Sequence, residues 1–340
     1  MSSFKRALAL GAGTVLVLGL LGGYVKNRLW LAESTICLIL GAVLGPMGLG
    51  WADLASLPLD PFALLKEAAR LTLGISVMAA ALRLPPGFVA RRAAGLALLF
   101  VTLPALLVAQ APVEALSEWL TQVLLWQTIG SISIGLVLGW LAGHLLTWAR
   151  RQPFCQHHSI ATIALASSLT VLAFVRLIGS DGILAVFASG LVINSFVSKE
   201  EARQENVQAA VSRFFDLPVF ILVGTMLPWA AWHELGWRAI GFAVAVLIVR
   251  RVPWWVALYR AVPEIRTMSE AVFLGWFGPI GISTIYDLLL IREKTGLHEV
   301  WEIGTIAVSL SVVAHGMSAT PFTQLIGRAR TTSGQAQQGS

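Results

Sequence analysis

The chain has 340 residues, of which 56% are hydrophobic and only 12% charged, with a mean hydropathy of +0.76. A soluble domain carries roughly 25% charged residues, so this composition excludes a globule that faces water on all sides. The formal charge of +6 and the isoelectric point near 9.8 do not point to nucleic acid, because Lys and Arg fall in short clusters between apolar runs, as they do in the loops of membrane proteins.

Runs of about 20 apolar residues, the length that crosses a bilayer, define eleven candidate spans. In chain order they are Ala7–Val25, Leu29–Met47, Leu71–Leu84, Ala93–Gln110, Leu120–Ala149 and Ser159–Ile178, then Gly182–Val197, Phe214–Trp229, Gly236–Val249, Ala271–Ile291 and Val300–Met317. Pro46, Pro58, Pro61, Pro85-Pro86, Pro112 and Pro153 punctuate them. Lys5 and Arg6 ahead of the first run resemble a signal peptide, but no small-x-small cleavage site precedes Lys26, so a retained first helix is expected. The third run begins inside Lys66-Glu67-Ala-Ala-Arg70, which predicts an amphipathic turn before it. Between Ser198 and Arg213 the chain is charged and free of Pro and Gly, as in a cytoplasmic helix. Residues 329–340, rich in Ser, Gly and Gln, read as a disordered tail after a transmembrane domain spanning 1–328.

Sorting Lys and Arg onto alternate sides of these spans leaves sixteen on one side and eight on the other. The positive-inside rule then puts the C-terminus in the cytoplasm. Cys37 in an apolar run and Cys155 in a loop make no disulfide framework.

The most informative stretch runs from Phe273 to Tyr286, where Gly275, Gly278, Pro279 and Gly281 fall in the middle of an apolar span. Proline removes a backbone donor and clashes with the preceding turn, and glycine permits unwinding. Free backbone groups at membrane depth are tolerated only beside a cavity or packed protein, and discontinuous helices of this kind line ion sites in secondary transporters. A kinked helix packed through small residues accounts for the same pattern.

Gly275-Trp-Phe-Gly-Pro-Ile-Gly281 resembles the broken core helix of the sodium/proton antiporter superfamily, in its bacterial cation:proton antiporter branch. Supporting matches are Asp60-Pro-Phe, Glu67-Ala-Ala-Arg-Leu-Thr-Leu73, Ala81-Leu-Arg-Leu-Pro85, Gly179-Ser-Asp-Gly-Ile-Leu-Ala-Val-Phe-Ala-Ser-Gly190, Phe214-Phe-Asp-Leu-Pro-Val-Phe220, Arg250-Arg251 and Ser311-Val-Val-Ala-His-Gly-Met-Ser-Ala-Thr-Pro321. The resemblance implies an all-α integral membrane bundle of about eleven transmembrane helices with a broken helix near residues 275–281. It also implies exchange of sodium or potassium for protons, a homodimer in the cell (inner) membrane in contact with lipid, and no cofactor. The family pattern also calls for a Thr-Asp-Pro motif and an Asn-Asp pair, and this chain has neither; its one Asp-Pro is Asp60-Pro61. Set against that pattern, the resemblance implies that about two helices are missing near Leu103–Ala111, so an impaired antiporter, or an antiporter-like protein without transport, is the expectation.

The acids and bases left in the apolar segments are few. Asp216, before Leu217-Pro218, reads as an N-cap and, by its place in the family-like block, as a coupling acid. Asp181 sits at a turn between Ser180 and Gly182, and His315 lies deep in the last span as a packing histidine or a proton relay. Glu33 and Glu270 lie near helix ends, and Arg70 and Arg176 are able to snorkel. Cys155-Gln-His-His158 lacks a fourth ligand, so no metal site is expected. An intramembrane protease is the rival from another class, but Tyr286-Asp287 lacks its Gly-x-Gly-Asp partner and no His-Glu-x-x-His occurs.

Overall fold

A computed structural model describes residues 31–52, 54, 60–84, 119–151, 160–180, 182–197, 205–261, 265 and 267–338, with Gly13 besides. Its elements in order are α1 (Glu33–Leu44), α2 (Pro61–Arg83), a π-helical stretch (Trp119–Gly130), α3 (Ser131–Arg150), α4 (Ile160–Leu177) and α5 (Gly182–Asn194). Next come α6 (Glu205–Thr225), α7 (Trp229–Val249), α8 (Val252–Leu258), α9 (Met268–Trp276), α10 (Ile282–Thr295) and α11 (Glu299–Gln338). All regular structure among the described residues is helical. The chain divides into two compact units, one of residues 1–69 with 214–340 and one of residues 70–213.

Lipid is as apolar as leucine, so a membrane helix gains little by burying leucine against another helix; close backbone approach and hydrogen bonds do that work. The first unit follows this rule. A methyl group at Gly41 of α1 would strike the Ile221 carbonyl of α6, and one at Gly224 of α6 would strike the Leu38 carbonyl, so the two backbones touch where neither has a side chain. Around that crossing Cys37, Leu65, Val223, Ile285 and Val308 are fully buried. Thr35 Oγ1, also buried, donates to Val312 O at 2.9 Å and ties α1 to α11.

The second unit repeats the device. Gly135 and Gly139, one helical turn apart on α3, face Ala185 and Ser189, one turn apart on α5. A methyl group at Gly139 would lie 2.6 Å from Ser189 O and 2.7 Å from its Cα. Met78, Leu172, Val175 and Val186 fill the space beside this crossing. Asn194 Nδ2 donates to Leu84 O at 2.7 Å, serving a carbonyl just past the end of α2.

Among the described residues, three helices are long and apolar enough to cross a bilayer, Leu125–Ala149, Trp229–Ala257 and Glu299–Ala319, and four more are apolar but shorter, Glu33–Leu44, Thr162–Leu177, Gly182–Ser195 and Phe214–Thr225. The candidate spans Ala7–Val25 (apart from Gly13) and Ala93–Gln110, the gap near Leu103–Ala111, and Cys155-Gln-His-His158 lie outside the described residues.

Several boundaries differ from the sequence reading. The third candidate span begins earlier, at Pro61, because Pro61 suits a first helical turn and Asp60 Oδ1 accepts from Phe62 N at 3.1 Å. The ninth begins at Trp229 and carries Gly236, its expected start, as a kink at φ +56°. The π-helical stretch runs straight into α3, so the expected span Leu120–Ala149 changes its winding at Gly130. The tail expected to be disordered is helical as far as Gln338, where α11 continues past Pro321 without a further helix-terminating proline.

Candidate functional site

Helix α9 opens with a capping box: Thr267 Oγ1 accepts from Glu270 N at 3.2 Å, and Glu270 Oε2 accepts from Thr267 N. That Thr-x-x-Glu pattern fixes Glu270 at a helix start. The helix runs for nine residues, Met268–Trp276, and stops there because Pro279 offers no N–H and disfavours helical backbone in the residue before it. Phe277 leaves the helix at φ −75°, ψ 82°, and Gly281 re-enters it at φ −135°, ψ −144° as the N-cap of α10. Residues 277–281 therefore form a gap between two helices.

A helix that ends leaves carbonyls without intrahelical partners, and here α11 and the start of α8 supply donors. Trp276 O lies 2.7 Å from His315 Nε2, and Phe277 O accepts from Arg251 Nη1 at 3.2 Å. In the gap, Ile280 N donates to Ser311 Oγ at 2.7 Å. Trp276 Nε1 donates to Ser318 Oγ at 2.8 Å, and its ring stacks on the His315 imidazole, centroids 5.0 Å apart and tilted 24°. The other ring nitrogen, Nδ1, sits 2.8 Å from Ser311 O and 3.2 Å from Ser311 Oγ. Ser311, His315 and Ser318 are spaced by four and three residues, which puts all three on one face of α11.

Two glycines make this geometry possible. A methyl group at Gly275 would press on Val252 Cα at 2.8 Å, and one at Gly278 would occupy the place of the Arg251 guanidinium. Beside the gap lies a cavity of about 480 Å³ lined by Ile248, Val252, Met268, Ser269, Val272, Phe273, Trp276 and Phe322, whose one hydroxyl is Ser269.

The residues singled out from sequence fall as follows. Gly275 ends up in the last turn of α9 rather than in the gap, Gly278 and Pro279 are inside it, and Gly281 closes it. His315 is 7% exposed, with Nε2 on Trp276 O at the gap's N-terminal edge and Nδ1 on Ser311 O of its own helix. Asp216 does not cap a helix: α6 starts eleven residues earlier, since nothing between Glu205 and Leu217 breaks it, and the carboxylate stands half-buried in its interior. Asp181 lies outside the described residues. Arg251, Ser311, Trp276 and Ser318 lie in family-like blocks, but the sequence does not single them out as site residues. The serines stand four residues before and three after His315, and that spacing is the available signal; for Arg251 it is the Arg250-Arg251 pair. Among the described residues no three His, Cys, Asp or Glu side chains gather as a metal site would require.

Apolar helices joined through glycine crossings are the architecture of a multi-pass membrane protein, and an interrupted helix whose loose carbonyls another helix serves is a feature found in secondary transporters. Residues 93–325 match the family described as sodium/hydrogen exchanger, transmembrane, and the chain belongs to that family. It therefore stands with membrane transporters and not with enzymes, intramembrane proteases included.

The chain is 25% identical over 264 residues to Na(+)/H(+) antiporter 2 of Zygosaccharomyces rouxii, covering 68% of this chain and 32% of that protein. It is 29% identical over 225 residues to the Na(+)/H(+) antiporter of Schizosaccharomyces pombe, covering 59% and 48%. To the Na(+)/H(+) antiporter of Saccharomyces cerevisiae it is 23% identical over 241 residues, covering 62% and 24%. The matches thus take in at most about half the length of these curated relatives.

Proposed function

We propose that this chain is built as a monovalent cation/proton antiporter, for sodium or potassium, in which coupled exchange is impaired. One observation carries the reading: the two carbonyls loosened by the helix break, Trp276 O and Phe277 O, are both faced by nitrogen groups, His315 and Arg251. A dehydrated cation needs such oxygens for itself, and a guanidinium on the adjacent carbonyl repels it. Exchange further needs a group that holds either protons or the cation, and buried carboxylates do this because desolvation and a bound cation pull their pKa in opposite directions. The paired acids of the family pattern are absent from the sequence.

The finer parts of the reading rest on the sequence: the bacterial branch on the Gly275–Gly281 and His315-Gly-Met-Ser blocks, and the cell (inner) membrane with a cytoplasmic C-terminus on the charge bias. A homodimer rests on the family resemblance alone. Asp216, Asp181 and His315 are the proposed residual coupling groups, Asp216 first among the acids.

The test is purified full-length chain in liposomes carrying an imposed pH gradient and a pH-sensitive dye. Pulses of sodium or potassium are expected to move no protons. Strong cation-driven dissipation that Asp216→Asn abolishes would overturn the impairment and leave a working antiporter centred on that acid.

A further inference from the structure

Helix α3 lies tight against α5 through Gly135 and Gly139, and a second stripe of the same helix faces α4. On that stripe stand Leu138, Ala142 and Ala149, and α4 sets Ile163, Ala166 and Val171 beside them at matching helical spacing. Between the two stripes runs a groove of about 470 Å³. Small side chains at Ala142, Ala149 and Ala166 keep it open. Leu146 and Val171, both buried, form its floor, and Leu145 stands 63% exposed at its rim. The lining carries two hydroxyls, Ser167 and Thr170, and no charge. Thr170 Oγ1 donates to Ala166 O at 2.8 Å within its own helix, so the groove offers hydrocarbon to hydrocarbon.

Length and charge say what fits there. From Ala149 to Leu138 the helix rises about 17 Å at about 1.5 Å per residue, close to one leaflet, which is half of a hydrocarbon core about 30 Å thick. The Ala149 end is the membrane surface. The crossing span Leu125–Ala149 stops there, Trp148 is 59% exposed as in an interfacial aromatic belt, and Arg151 is exposed just past the helix end. Arg150 adds a second cation in the sequence. We propose that the groove between α3 and α4 seats one acyl chain of an anionic phospholipid whose headgroup phosphate is held at Arg151. The chain hangs from the surface at Ala149 and Ile163 and ends in mid-membrane at Leu138 and Val171. A guanidinium matches phosphate in both charge and geometry.

A second copy of the chain suits the groove less well. A twofold axis along the membrane normal brings the same helix ends together, so it would set one Arg151 against another, like charge on like. A lipid brings the opposite charge to that end. The inference goes beyond the transport reading and does not depend on it, since it needs only a membrane around α3. A lipid seated here bridges two helices, and a ligand that binds only the folded chain stabilises it by mass action.

The test uses the purified full chain in mixed micelles with a photoactivatable phosphatidylglycerol that carries a diazirine midway along one acyl chain. After irradiation, peptide mapping should find the label on the α3 and α4 residues that line the groove. Unlabelled phosphatidylglycerol should compete for that label about fivefold better than phosphatidylcholine with the same chains, the effect of one arginine near a membrane surface. Arg151→Gln should lower that preference by about fivefold and leave the label in place. Ala166→Phe puts a ring into the groove from an exposed position and should remove the label. A groove without label, equal competition by the two lipids, or a preference that Arg151→Gln leaves unchanged overturns the proposal. So does an unlabelled groove in which Ala166→Phe splits a dimer seen by light scattering, since a second copy then fills it. Arg151 is exposed, so its variant decides even if Ala166→Phe fails to fold.

Discussion

Gly278 and Arg251 allow the capped helix end to be weighed. The backbone of Gly278 is not in the left-handed region, so alanine there carries no conformational penalty of its own. Its methyl group would occupy the position of the Arg251 guanidinium, which is the far end of a flexible chain and will swing away. What is lost is the bond from Nη1 to Phe277 O. Hydrogen bonds to charged groups are worth about 1.5–3 kcal/mol, and Gly278→Ala should cost about that much. Arg251→Met, which keeps the stem and removes the donor, should cost a similar amount through the same contact. The double variant should then cost little more than either single one, with a coupling of about 1.5–3 kcal/mol rather than the few tenths seen for independent sites. Unfolding in detergent micelles, followed by loss of helical circular dichroism, measures all four corners of the cycle. Additivity within about 0.5 kcal/mol would mean that Gly278 does not make room for the guanidinium, and the account of the capped carbonyls would fail.

Other consequences follow from the same geometry. Gly139→Val drives a branched side chain into the backbone of Ser189 and should destabilise the α3–α5 crossing by about 1–3 kcal/mol. Gly241→Ala on α7, with nothing within 4 Å of its new methyl, should be neutral or stabilising by up to about 1 kcal/mol, and both are read as shifts in thermal stability in detergent. Thr267→Ala removes the capping box of α9 and should cost about 1 kcal/mol in the same assay, with Thr267→Ser recovering most of it. The ion pair between Lys66 and Glu293 involves a carboxylate that is 57% exposed, so Glu293→Gln should cost under about 1 kcal/mol, and less still at high salt.

Composition and apolar run length were enough to read an all-helical membrane chain, because a bilayer accepts few other structures. The interruption at Gly278-Pro279 was legible for a local reason: proline and glycine act on their own backbone wherever they stand. The partners of that interruption were not. Ser311 and Ser318 are unremarkable in an apolar helix until α11 is laid beside the gap, and Arg251 reads as a loop cation until Gly278 leaves room for it. Asp216 was misread for the opposite reason. Its Asp-Leu-Pro context is a good local start signal, yet α6 had already begun at Glu205 and passes through Pro218 without ending. The glycines of the two crossings show the same limit, since Gly41 and Gly139 are explained only by the carbonyls of Ile221 and Ser189 far along the chain.

The central claim is that the helix break offers its loose carbonyls to His315 and Arg251 instead of to a transported ion. Equilibrium binding of radioactive sodium to the purified full-length chain, measured across pH, tests it most directly. The account predicts no saturable binding that protons displace. Saturable sodium binding that weakens as pH falls, and that Arg251→Met leaves unchanged, would contradict it.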